Sequence, residues 1–466
     1  MSITSFKKRR KSNMKKLSIL LVVAMLATLF VLPVSAQSIT WTSGFQVQNL
    51  SDTNTADILI YYYNQDGSQA TGSPFADTIA ASSSKTYFPI QAADGFNGSV
   101  VVESTEPVVA IANTLGNAPQ YLAATESFSN GALEVNLPLI MKANAGYYTW
   151  FNVQNASASA DAHVTVEYIP GSDGTAYTAP AVTIAPGAAA TFDQHDLADI
   201  GAKFVGSAKV TSDQPIVATV MQVGETFKNM MGYNGFIAGA ASTTVNMPLI
   251  MANNNGFYTG FQVQNAGTGP TDITIEFGAN IAGTFAPADE TATLLAGESK
   301  TFLQNTGQFT ASVGKYVGSA TITSSAEPVV AIVNQVKGGT TPLGTAYNGF
   351  DPTAATERTS APLIMANNNG YYTGIQVMNV GGAAVDITVT YGPNLSGTYS
   401  PPAETATIDP GDSYNSIQND GAWTGNKYVG SLVVTAPAGS QIVMIVNQVK
   451  GGTGGDTFMT YNGFNY

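Results

Sequence analysis

Pro248-Leu249-Ile250-Met251-Ala252-Asn253-Asn254-Asn255-Gly256-Phe257-Tyr258-Thr259-Gly260-Phe261-Gln262-Val263-Gln264-Asn265 returns almost letter for letter at residues 362–379, more loosely at 138–155, and as its second half alone at 44–49. The chain is therefore a repeat array. Pro-Leu-Ile-Met is a short apolar run opened by a residue that cannot donate to a ladder, which predicts a strand start or a sheet edge. Asn253 to Gly256 supplies residues that tolerate positive φ, as a tight reversal requires. Beyond it Phe257, Thr259, Phe261 and Val263 alternate with Tyr258, Gly260, Gln262 and Gln264, the period of a strand with one buried face. Tyr371, Thr373, Ile375 and Val377 repeat the alternation. Such rings serve first as core and cross-strand packing.

A Gly-Ser step opens a β-branched run at Gly98, Gly206, Gly318 and Gly430, at spacings of 108, 112 and 112. A second apolar run follows each, at 107–112, 215–220, 328–333 and 441–446, after a few polar residues such as Ser212-Asp213-Gln214, so the pair reads as adjacent strands joined by a short connection. An earlier strand carries Ile58, Ile60 and Tyr62, with counterparts in every unit, and Pro186-Gly187 and Pro410-Gly411 suit type II turns. Tyr-Asn-Gly-Phe stands late in three units, at Tyr233, Tyr347 and Tyr461. Seven to nine short strands per unit, without a helical period, predict an all-β chain of two-sheet sandwiches. The expected layout is a signal peptide at 1–36 and four sandwiches at 37–132, 133–242, 243–356 and 357–466. Their short polar junctions predict a semi-rigid rod.

The N-terminus explains the signal. Seven Lys and Arg precede an apolar run, Leu17 to Leu32, and Val34-Ser35-Ala36 forms a small-residue cleavage site before Gln37. Removal takes away seven of 18 basic residues and none of 31 acidic ones, leaving 11 against 31, a formal charge of about −20. That balance disfavours nucleic acid and anionic membrane surfaces as partners. No Cys is present, which excludes disulfides, a lipidated cysteine and thiolate ligands. Beyond the signal no apolar run approaches a membrane span. A secreted or cell-surface protein is expected.

The strands Phe261-Gln262-Val263-Gln264-Asn265 and Asp272 to Phe277, the Gly297 turn, and Val317-Gly318-Ser319 followed by Pro328 to Ile332 resemble the tandem immunoglobulin-like sandwich repeats of bacterial secreted and cell-surface proteins. The likeness covers residues 39–466 through packing and turn positions, and implies a surface, matrix or adhesive role by analogy.

Chemistry is sparse. His163 falls on a solvent-side strand position, and His195 sits among Asp193, Asp196 and Asp199. No Ser-His-Asp arrangement, phosphate loop or histidine metalloprotease motif appears, so no enzyme is expected. Asp213, Asp351, Asp409 and Asp412 lie near turns where calcium could be held, the one cofactor the sequence leaves open. Tyr148, Tyr258 and Tyr372 are the outward rings of their pairs, candidates for a glycan platform, where repetition would give avidity for a polysaccharide, or for packing between domains.

There are four Gly-Ser strands but three Pro-Leu-Ile-Met strands: Pro138, Leu139, Ile140 and Met141; Pro248, Leu249, Ile250 and Met251; Pro362, Leu363, Ile364 and Met365. One terminal unit is thus a strand short, which makes it either a cap or an edge open to a strand from another molecule. The sequence-level expectation is a self-associating structural protein of a filament, sheath or surface layer, with a glycan-binding adhesin as the alternative.

Overall fold

The computed structural model describes residues 19–25, 39–117, 120–338, 342–450 and 455–466. Of the expected signal peptide, residues 1–18 and 26–36 lie outside the described residues. The chain is all-β, with antiparallel strands arranged in seven sheets among the described residues. The first, third and fourth repeats each pair two sheets. In the third, the order is Thr244–Ala252, Tyr316–Ser324, Thr271–Phe277, Glu290–Leu294 on one side and Ser299–Leu303, Phe257–Asn265, Val329–Lys337, Leu343–Asn348 on the other. In the second repeat one strand, Phe204–Gly224, runs through both sheets and joins them, so Ser212-Asp213-Gln214 lies inside a strand and not in the predicted connection.

The repeated motif folds as read, with one revision. Asn253 and Asn255 take φ of 53° and 52°, and Gly256 takes 85°, so the reversal uses the residues that tolerate it. Pro248 lies on the edge strand of its sheet, one of the two places expected for it, but in mid-strand and not at the strand's start. The ladder from Thr244–Ala252 to Tyr316–Ser324 shifts register between Met247 and Ile250, and the bulge accommodates the residue that cannot donate.

Each Pro-Leu-Ile-Met strand is held by two side-chain clamps. The Tyr347 hydroxyl donates to Leu249 O (2.7 Å) and accepts from Leu249 N (3.1 Å); Tyr233 serves Leu139 and Tyr461 serves Leu363 alike. Burial pushes all three phenols above their ordinary pKa. Thr259 Oγ1 accepts from Met251 N (3.1 Å) and lies within hydrogen-bond reach of Met251 O and Gln304 Oε1, with Thr149–Gln194 and Thr373–Gln418 as counterparts. Tyr-Asn-Gly-Phe and Pro-Leu-Ile-Met therefore occur in equal numbers because one holds the other.

The expectation of one buried face per strand fails. In Trp41–Asn49, Tyr147–Asn155, Phe257–Asn265 and Tyr371–Asn379 the alternate residues are buried too, including Gln46, Gln154, Gln262, Gln264 and Gln376. Their second face lies against a neighbouring repeat. Gln46 Nε2 donates to Pro362 O (2.5 Å), and Ser413 Oγ donates to Pro248 O (2.9 Å). The repeats pack side by side, not as the predicted rod.

Tyr347→Phe removes the only partner described for Leu249 N at the bulge and is expected to cost about 1–3 kcal/mol. Denaturant unfolding checks this; the same measurement on Thr125→Tyr, the equivalent position of the first repeat, should show no gain.

Candidate functional site

Four strands meet on one axis: Tyr121–Glu126, Asn229–Asn234, Leu343–Asn348 and Phe458–Asn462, each ending a sheet of its own repeat. Ladder positions make Glu126, Asn234, Asn348 and Asn462 equivalent, which assigns Thr125-Glu126-Ser127-Phe128 as the first repeat's version of Tyr-Asn-Gly-Phe. Each asparagine closes the free edge of the strand before it. Asn348 Nδ2 donates to Asn234 O (2.6 Å) while its Oδ1 accepts from Asn234 N (3.1 Å), and Asn462 treats Asn348 in the same way (2.7 and 3.1 Å). Asn234 Nδ2 donates to Glu126 O (2.9 Å), and Asn462 N donates to Glu126 Oε1, so the fourth repeat returns to the first.

A second ring of amides surrounds the first. Gln222 pairs with Asn334 (2.9 and 2.7 Å), Gln335 with Asn447 (3.0 and 3.0 Å), and Gln448 with Asn113 (3.2 and 3.3 Å). The equivalent residues at the junction of first and second repeats are Thr114 and Met221, which cannot form this pair. An apolar cluster of Trp41, Tyr121, Tyr148, Trp150, Met221 and Met230 stands there instead. Arg358 of the fourth repeat grips Asp52 of the first through its two terminal nitrogens, Nη1 and Nη2 (2.7 and 2.6 Å), and holds the Asp52 carboxyl below the ordinary range. The four repeats form a closed ring.

Glu126 breaks the amide pattern. A carboxylate has no N–H to donate toward Asn462, and Asn234 Oδ1 is left buried without a partner. Burial pushes the Glu126 carboxyl up to about 7. Glu126 also helps to line an open hollow of 650 Å³ on the axis, with Asn234, Asn348 and Asn462 and the rings of Phe236, Phe350 and Phe464.

The missing strand has a definite place. In the second, third and fourth repeats, Ala132–Lys142, Thr244–Ala252 and Arg358–Ala366 pair with the Gly-Ser strand. In the first, that position beside Gly98–Ser104 is taken by Ile19–Met25, from inside the expected signal peptide, in an unbroken antiparallel ladder from Ile19↔Ser104 to Met25↔Gly98. The first repeat is not made for Pro-Leu-Ile-Met. Thr125 replaces the clamping tyrosine, Ser43 the clamping threonine and Pro89 the clamping glutamine, as the ladders of Phe45 with Tyr87 and Phe151 with Phe192 align them.

All twelve residues named for the assembly strand lie in their own repeat's sheet, with the Leu, Ile and Met side chains buried. The three tyrosines named as outward are half-buried toward neighbouring repeats. Tyr148 meets His195 edge-on at 4.8 Å beside Trp41 and Tyr121 of the first repeat. Tyr258 stands near Tyr147 of the second repeat, and Tyr372 shares a cleft with Leu249 and Met251 of the third. The calcium candidates are dispersed. Asp213 holds His163 N and its ring (2.8 and 2.7 Å), Asp351 caps Thr353 N (2.9 Å), Asp412 accepts from Ala279 N (2.8 Å), and Asp409 is exposed. Among the described residues no group of three His, Asp or Glu is placed to hold a metal ion, and no helix is long and apolar enough to cross a membrane.

No family model and no curated protein matches the chain. Among solved structures, Thermotoga maritima 1070 is 16% identical over 23% of this chain and 95% of its own, at a TM-score of 0.20. A tetra-tandem repeat from the extending region of a large adhesion protein is 12% identical over 91% and 95%, at 0.10. A glycoside hydrolase family 32 structure from Bifidobacterium adolescentis is 11% identical over 91% and 94%, at 0.14. Likenesses this slight carry no argument about function.

The pH dependence follows from Glu126. Below about pH 4.5 both folded and unfolded chains hold its proton; between there and about 7 only the folded chain does, so stability falls across that window and the loss is complete above it. Glu126→Gln supplies the missing donor without charge. Thermal melts should show the variant raised by roughly 1–3 kcal/mol at pH 8 and little changed at pH 4.

Proposed function

We propose that the chain is a secreted structural protein, built of immunoglobulin-like sandwiches behind a cleaved signal peptide, that serves as a subunit of an extracellular filament, sheath or surface layer. The observation that carries this reading is the strand position beside Gly98–Ser104. The repeat itself supplies no strand for it, and Ile19–Met25 belongs to the part that processing would remove. A processed chain then presents the main-chain edge of an apolar strand, a template for strand addition between subunits. Without the Tyr and Gln clamps, the position suits a straight apolar strand and not a bulged Pro-Leu-Ile-Met strand from a second copy.

The adhesin alternative draws less support, because Tyr148, Tyr258 and Tyr372 are engaged at the junctions between repeats. Both readings meet in one experiment on residues 37–466, examined by light scattering and negative-stain electron microscopy, with and without calcium. Self-assembly that a solubilised peptide of residues 19–25 suppresses is the expected result. Single particles in every condition, and no binding of the peptide, would sink the structural reading. A polysaccharide pull-down lost on changing the three tyrosines to Ala would then favour adhesion.

A further inference from the structure

We propose that the ring axis carries a carboxylate-binding site made of one backbone N–H from each of the four repeats, and that Asp456 is its built-in ligand. Met230 N donates to Asp456 Oδ2 (2.9 Å) and Gly344 N to Oδ1 (3.4 Å), while the N–H groups of Leu122 and Phe458 act on the carboxyl in the same direction, opposing the rise in its pKa. These residues occupy one register position. Leu122, Met230, Gly344 and Phe458 stand opposite Leu115, Val223, Val336 and Val449 in their ladders. The donors are therefore the same edge N–H of four successive repeats, turned inward by the closure of the ring.

Asp456 is fully buried, and among the described residues no Lys, Arg or His forms an ion pair with it. Among the described residues the carboxyl is met by backbone amide dipoles, as in backbone anion sites. Burial raises the carboxyl's pKa and the N–H donors oppose that rise. The equivalent positions in the other repeats are Gln120, Lys228 and Pro342. One carboxylate for four repeats is what an axis demands, since a group standing on it leaves no room for three copies. Three of the four donors belong to repeats other than the one that sends the ligand. Docking of Asp456 thus ties the last repeat to the first three and satisfies edges that stay open until the fourth repeat arrives.

The test is chemical rescue in the full processed chain. Asp456→Gly removes the carboxyl with its Cβ, leaving a space the shape of acetate. Its melting temperature should drop by several degrees, and sodium acetate should restore it saturably, as a ligand of the folded state does. Sodium chloride at equal ionic strength and bulky trimethylacetate should not. Asp456→Asn keeps the shape but turns amide hydrogens toward the donors, and should melt low without responding to acetate. If Asp456→Gly is not recovered folded, refolding it in acetate against chloride decides, with recovery in acetate alone supporting the site. Wild-type melting of Asp456→Gly, equal rescue by all three salts, or no recovery in either buffer would overturn it.

Discussion

A strand at the end of a sheet presents unpaired N–H and C=O groups, and burying that edge demands partners for all of them. Four such edges converge on one axis in this chain, and nearly everything particular about the molecule follows. The asparagine of Tyr-Asn-Gly-Phe suits the task because one amide both donates to a carbonyl and accepts from an N–H, bridging a neighbouring main chain as another strand would. Where the edge offers N–H groups toward the axis itself, the single Asp456 answers them.

The departures from four-fold repetition concentrate on the first repeat. Glu126 stands where the others have asparagine, and Thr125, Ser43 and Pro89 where they have the strand clamps. Thr114 and Met221 remove the amide pair at its junction with the second repeat, and tryptophans and tyrosines fill the place. These changes are coupled: a tyrosine whose hydroxyl serves a strand has no use where that strand is absent, and an unserved buried hydroxyl would be costly. The first repeat is thus specialised around a different occupant of the same strand position.

The local elements were legible in the sequence because local physics makes them. Asn253-Asn254-Asn255-Gly256 reads as a reversal from backbone preference alone, and Ile58, Ile60 and Tyr62 read as a strand from alternation. The shortage of one Pro-Leu-Ile-Met strand followed from counting. Pro248 pointed correctly to a sheet edge, but its place along the strand was not legible, because a proline marks a bulge and a strand start equally well. The first-repeat copy of Tyr-Asn-Gly-Phe was missed because only Phe128 survives in it; the spacing to Gly98 was the signal that could have found it.

By itself, then, the sequence determined the all-β repeat, its period near 110 residues, its turns and its unequal strand count, all of which rest on neighbouring residues and short-range preference. The tertiary structure alone decided that the repeats close on themselves, that Gln46 and Gln262 are buried, and that Glu126 and Asp456 are axial. Period-two alternation marks one face as polar but cannot say whether that face meets water or another polar face. Closure brings together residues more than a hundred positions apart, such as Asn113 with Gln448, whose pairing leaves no trace in either local pattern.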